Sequence, residues 1–346
     1  MRLIALLLAI LGPTVAAHAA PINFGDILVV NQHGLGGECP LGCGGVIRID
    51  PVTGAQTAIS SGGIFVNPLG IALAPNGDIL IADSGVGVIH VNPATGGQTV
   101  LSSGGRFILS GPRSITVAPN GDIFVVDELG ASGGGEVIRI NPLTGAQTLI
   151  SSGGNFVIAV DLALIASGDI LVVDQNAFGG GGGVIKVNPE TGAQTPLSLG
   201  GSFIEPVGIA IAATGAIFVT DPNAAAIFQV DPLTGAQTTI ASGGLLGGGL
   251  RGLGITHGGD LIAAVRETNQ LVQVNPLTGS QSVFASGGLF NNPNEIAIAP
   301  VPEPSTLLLL GSGLAGLGGV ALRRNRSASA GRSFRNSSAG SRGIRS

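Results

Sequence analysis

Pro68-Leu69-Gly70-Ile71-Ala72-Leu73-Ala74-Pro75-Asn76-Gly77-Asp78-Ile79-Leu80-Ile81-Ala82-Asp83 is the stretch that decides how this chain folds. An apolar run, Gly70–Ala74, is broken by Pro75-Asn76-Gly77 and resumes as Asp78–Asp83. Asn-Gly between two such runs is a strong hairpin signal, because both residues tolerate positive φ. Downstream, Gly87–Asn92 and Gly97–Ser103 flank a second turn, Pro93-Ala94-Thr95-Gly96. Four short strands therefore fit between Pro68 and Gly105. The first strand alternates large and small residues, and the second is apolar on both faces.

The unit repeats. Pro-x-Thr-Gly-x-Gln-Thr/Ser begins at Pro51, Pro93, Pro142, Pro189, Pro232 and Pro276, at intervals of 42 to 49 residues. A second signature, Gly-Asp-Ile-Leu-Val-Val at Gly25, has relatives in the same phase at Gly77, Gly121, Gly168, Gly215 and Gly259. Four strands in a period of this length is the arithmetic of a β-propeller blade. The small residues of Gly70–Ala74, Ser114–Ala118 and Gly208–Ala212 suit an innermost strand, where blades converge on the axis. The expected fold is all-β, a six-bladed β-propeller over residues 20–300.

The ring closes from both chain ends. Gly25–Val30, Gly45–Asp50 and Gly54–Ser60 supply strands two to four of a blade and lack the first. Asn294-Glu295-Ile296-Ala297-Ile298-Ala299, after the last repeat, reads as a first strand without partners. Joining the two completes the sixth blade and hides edges that would otherwise aggregate.

Composition agrees with this fold. The chain has 60 Gly, no Trp, no Tyr, and 10% charged residues. Seven of its Lys and Arg residues lie in residues 21–300 against nineteen Asp and Glu, so the propeller is acidic. Nucleic-acid binding needs clustered basic groups, which excludes that class of partner. Phe65, Phe107, Phe156, Phe203 and Phe290 each follow Gly-Gly-x between periods, a spacing that suits wedges between blades.

The chain ends read differently. Arg2, the apolar run Leu3–Leu11 and Ala17-His18-Ala19 have the order of a signal peptide, residues 1–19. After Pro300 come Val301-Pro302-Glu303-Pro304, the uncharged run Thr306–Leu322, and Arg323-Arg324-Asn325-Arg326. As a helix the run would be about 25 Å long, a minimal membrane span. The arginines favour a cytoplasmic C-terminus with the propeller outside. This tripartite segment, residues 301–326, resembles the PEP-CTERM sorting signal of exported bacterial proteins. The resemblance implies an exosortase-type processing enzyme as a partner, acting near Pro302-Glu303-Pro304. It also implies anchoring through the helix at 306–322, or release to the surface or matrix after processing, with exopolysaccharide or other envelope proteins as neighbours. Residues 327–346 form a Ser/Arg/Gly-rich tail of disordered composition.

Candidate chemistry falls into two sets. Asp83, Asp127, Asp174 and Asp221 end the second strand in four periods, with Asn31 and Val265 at that place in the others. A ring of oxygen ligands would take a divalent cation such as calcium. Recurrence equally suits a bond made once per blade to a neighbouring loop. The other set breaks the repeat. Asp161 and Glu295 stand where Gly70, Ser114, Gly208 and Gly252 stand elsewhere, and one residue earlier Arg113, Arg251 and Asn294 replace Leu69, Val160 and Val207. These five are the catalytic or ligand-binding candidates, expected around the mouth of the central channel. Glu205 and Glu267 lie near them. Charges so close to the axis are desolvated and need partners, so they pair with one another or surround a guest. Cys39 and Cys43, in one Gly-rich loop of an exported protein, are expected to form a disulfide.

The repeat at Pro68–Asp83 resembles NHL-repeat and regucalcin/gluconolactonase-like propellers, and with Asn92-Pro93-Ala94-Thr95-Gly96 it also resembles the streptogramin lyase repeat. The resemblance implies the fold, and as an activity a metal-dependent lactonase or lyase. Val-Val-Asp stands where lyase repeats carry an aromatic residue and Glu, and the Glu-Gly-Pro-type segment of lactonases is absent. The favoured function is a non-enzymatic binding or structural module of the cell surface, with the lactonase or lyase and a calcium-binding module as alternatives.

Overall fold

The computed structural model describes residues 22–35, 44–130, 133–177 and 180–300. Among the described residues, twenty-four strands form six four-stranded antiparallel sheets. Five sheets are contiguous in sequence, with innermost strands Pro68–Leu73, Pro112–Val117, Ala159–Leu164, Gly208–Ile211 and Leu250–Ile255 in the second to sixth blades. The first blade is assembled from both ends: Pro293–Ile298 pairs with Ile27–Asn31, which continues to Gly45–Ile49 and Gln56–Ser61. Each innermost strand touches the next around the ring, and Pro293–Ile298 touches both Leu250–Ile255 and Pro68–Leu73. The ring is a closed six-bladed propeller.

Burial explains the apolar pattern. All five residues of every second strand are buried, from Ile27–Asn31 to Leu261–Val265, whereas the outermost strands are half exposed. A blade has neighbours on both faces, so alternation is lost. Among the described residues six hydrophobic clusters form, and each joins two adjacent blades; one of them ties Ile27 and Ile47 to Ile262 and Leu271 across the closure. Phe65, Phe156, Phe203 and Phe290 are buried in these seams, and Phe107 is partly buried. Between the fifth and sixth blades the wedge is Leu246, in a 3-10 turn at Gly244–Gly247.

The repeat signature proves to be a set of joints. In Asn92-Pro93-Ala94-Thr95-Gly96, Asn92 Oδ1 accepts the Ala94 and Thr95 amides at 3.0 Å, closing the turn. Gly96 has φ 69°, and a Cβ there would lie 2.3 Å from the Ile59 carbonyl of the preceding blade, so glycine is required. The Gln that follows latches one blade to the one before. Gln98 Oε1 accepts the Ile64 amide at 2.8 Å, and Nε2 donates to Ser60 Oγ at 2.8 Å and Gly62 O at 3.1 Å. Gln147, Gln194 and Gln237 repeat the pattern. Gln56 reaches from the first blade to Leu289 and Gly287 and so closes the seam.

One turn differs from expectation. In Pro75-Asn76-Gly77 only the glycine has positive φ, at 88°. The connection spans three residues, with the Gly77 amide donating to Ala74 O and the Ala74 amide to Asp78 O, both at 2.9 Å. Asn76 instead uses its side chain, which bonds the Asp78 amide and carboxylate.

The signal peptide expected at residues 1–19, the disulfide expected between Cys39 and Cys43, and the whole of 301–346 lie outside the described residues. Among those described, no helix is long and apolar enough to cross a membrane.

Candidate ligand site at the axial mouth

The innermost strands carry β-bulges at one level. Pro68 and Gly70 oppose Asp83 and Ala82, which leaves Leu69 as the extra residue. The same irregularity frees Arg113, Val160 and Asn294, and in the sixth blade it takes in Arg251 and Gly252. A bulge re-aims the side chain it frees, and here it brings these residues together at one end of the axis. Leu69, Arg113, Val160, Arg251, Asn294 and Glu295 share a constriction of about 10 Å³.

Above the constriction lies a polar cavity of about 300 Å³, lined by Arg113, Arg251 and Arg266 with Asn294, Asn67 and Glu128 among others. Arg113 pairs with Glu128 at 2.7 Å. Neither Arg251 nor Arg266 forms an ion pair with a described residue. Arg251 Nε is buried without a hydrogen-bond partner among the described residues. Burial, then the Arg266 and Arg113 charges, hold Arg251 down to about 10, partly offset by Glu205 and Glu267. It still carries its proton at neutral pH.

Below the constriction, a channel of about 400 Å³ is walled by aliphatic residues of all six innermost strands, with Asp161, Glu295 and Ser114 on its lining. Asp161 is 3% exposed. It accepts the Ser114 hydroxyl, the Leu162 amide at 2.8 Å and the Ile209 amide at 2.7 Å, and so ties three blades together. Burial pushes its carboxyl up to about 6 against those bonds and the Arg113 charge. Glu295 Oε1 accepts the Ile296 amide at 3.1 Å. Its carboxyl is raised well above the usual range, by burial first and by the Asp161 charge second. Two like charges at the axis resist ionising together.

The expected ring of four aspartates is spread one per blade, each fully buried. Asp83 accepts the Val66, Asn67 and Gly85 amides at 2.8 to 3.0 Å. Asp174 accepts the amides of Val157, Ile158 and Asn176, and Asp221 those of Ile204, Glu205, Asn223 and Ala224. Asp127 departs from this pattern: Ser110 Oγ and the Leu129 amide meet Oδ1, and Oδ2 is buried without a hydrogen-bond partner among the described residues. Burial raises the carboxyls of Asp83, Asp127 and Asp174. Among the described residues no group of three or more His, Cys, Asp or Glu side chains could hold a metal ion.

Sequence reasoning placed Arg113, Arg251, Asn294, Asp161 and Glu295 near the axis, and the structure brings them to adjoining levels of it. It missed Gln32, Ser84, Glu128 and Arg266. Each of these directly follows the residue that ends a second strand, namely Asn31, Asp83, Asp127 and Val265. The variable residue next to the recurrent aspartate was the signal that could have found them.

Beyond the closing strand, residues 300–325 match the PEP-CTERM protein-sorting motif. The chain carries a PEP-CTERM sorting signal. It is therefore an exported, envelope-sorted protein whose motif implies processing by an exosortase-type enzyme. No curated protein matches this chain in sequence. Its fold is similar to that of a chain in the crystal structure of the nidogen/laminin complex, with TM-score 0.65 and 14% identity over 80% of this chain and 98% of that one. It is also similar to TolB from Acinetobacter baumannii, with TM-score 0.61 and 16% identity over 80% and 67% of the two chains. At these identities the likeness concerns the propeller fold alone.

Proposed function

We propose that this propeller protein is a binding module of the cell surface or exopolysaccharide matrix, without catalytic activity, that takes its partner at the axial mouth. The observation that supports this most is the set of bulges, which turn Arg113, Arg251 and Asn294 out of the strand ladder toward one cavity. The carboxylates that a lactonase or lyase would use, Asp161 and Glu295, accept amide protons of their own strands and line an aliphatic channel. In this reading the aspartates at the ends of the second strands organise loops, and the mouth is left to bind. Residues 306–322 hold the chain in the membrane until processing near Pro302-Glu303-Pro304, with Arg323, Arg324 and Arg326 on the cytoplasmic side. The nidogen/laminin chain offers one instance of a similar fold found in a complex between proteins.

The test is protease shaving of intact producing cells, together with assay of the purified chain on a lactone panel with calcium. Cleavage of the propeller at the surface and no turnover are expected. Protection from protease until the cells are lysed, or turnover that Glu295→Gln abolishes while the melt is kept, would overturn the proposal.

A further inference from the structure

We infer that the upper axial cavity binds a small hydroxylated carboxylate, a sugar acid or hydroxy acid, between Arg251 and Arg266. This rests on the binding-module reading above and adds the chemistry of the guest.

The charge distribution points there. Residues 21–300 carry nineteen acidic and only seven basic side chains, yet three of the seven line this one cavity. Glu128, the acid on its wall, is committed to Arg113. Among the described residues that leaves two guanidinium groups without an ion pair, and one of them has a buried N–H without an acceptor. A buried donor left unmade is costly, and neighbouring cations add repulsion that an anion would relieve. A cation would be repelled here, and a neutral guest would leave both guanidinium groups without an ion pair, with Glu205 and Glu267 offsetting the Arg251 charge only in part.

The shape of the donors narrows the anion. A guanidinium is a planar fork that matches the two oxygens of a carboxylate. Around the forks stand amides and hydroxyls, with Gln32 Nε2 bonded to Asn67 Oδ1 at 2.8 Å and Asn67 Nδ2 to Ser84 Oγ at 2.7 Å. Such a linked set can exchange its bonds with the hydroxyls of a guest. The cavity, about 300 Å³, is at the small end of ligand sites. It suits one sugar-sized unit, free or at the end of a chain, and no aromatic stacking is required.

The experiment is calorimetric titration of the full chain in detergent, at low ionic strength, with glucuronate, glucose and inorganic phosphate in separate runs. Saturable binding of glucuronate, weaker phosphate and no binding of glucose are expected. Arg266→Gln and Arg251→Gln should each weaken glucuronate about 10-fold or more, the loss of one charged hydrogen bond. Arg139→Gln, on the third strand of another blade, should leave binding unchanged. No glucuronate binding, equal binding of glucose, tighter binding of phosphate, or insensitivity to Arg266→Gln each overturns the inference. Such a failure in a protein that is still shaved from intact cells removes only the chemistry of the guest. Protection from shaving removes the surface reading itself.

Discussion

Replacing Gln98 with Ala cuts one of the latches between blades, and the consequence can be worked from the structure. Three hydrogen bonds disappear: from the Ile64 amide, to Ser60 Oγ and to Gly62 O. Each is worth about 1 kcal/mol net when both partners are lost to water. The Ile64 amide is exposed and rehydrates, and Ser60 Oγ keeps its 2.7 Å bond to Gly96 O, so part of the loss is recovered. The expected cost is ~1–2 kcal/mol, or a fall of about 2–3 °C in melting temperature for a domain of this size. Gln56→Ala should cost about as much, because its bonds to Gly287 and Leu289 are of the same kind but cross the seam where the chain ends meet. Calorimetric melts of both single variants and of the Gln98→Ala/Gln237→Ala pair provide the assay. The pair lies far apart on the ring, so the two effects should add. If Gln98→Ala melts with the wild type, the repeated Gln is not a joint and the reasoning fails.

Two further outcomes follow from the same geometry. Asp161 binds its proton up to about pH 6 when folded, against 3.8 as an unperturbed carboxyl. Its contribution to stability is therefore complete below about pH 4 and lost as pH rises through about 6. Denaturant unfolding at the two extremes should show wild type losing this stability relative to Asp161→Asn; a difference independent of pH contradicts the burial argument. Deleting Asn294–Ala299 removes the innermost strand of the first blade and exposes Ile27–Asn31 as an edge, so soluble monomer should vanish from size-exclusion profiles. A monomeric, cooperative melt of that deletion would show that closure is dispensable.

Much of this architecture could be read before any coordinates, and the reasons are physical. A blade is local: its four strands and three turns lie within one period, so Gly70–Ala74, Asn76-Gly77 and the Thr-Gly turn declare it without long-range information. Even the closing strand was legible, because Asn294–Ala299 and Gly25–Val30 each lacked what the other supplied. The latch was not. Gln98 meets residues 34 to 38 positions earlier, in another blade, and nothing in the repeat says which neighbour it faces. The bulges were equally hidden, since an extra residue such as Arg113 is visible only once Pro112 and Ser114 are paired with Asp127 and Val126. Breaks in the repeat therefore found Arg113, Arg251 and Asn294 but not Arg266 or Glu128, which lie on the second strand's exit. Leu246 shows a subtler limit: Gly243-Gly244-Leu245-Leu246 fills the wedge with an aliphatic residue where other seams use Phe.

Isothermal titration of the purified full chain with calcium, paired with melts in millimolar calcium and in chelator, tests most directly whether the buried acids build the ring or serve a metal. No heat and superimposable melts are expected, because Asp83, Asp174 and Asp221 are bonded to loop amides and Asp161 to three donors. Saturable calcium binding that raises the melting temperature and is lost in Asp161→Asn or Glu295→Gln would contradict it and return the axis to metal chemistry.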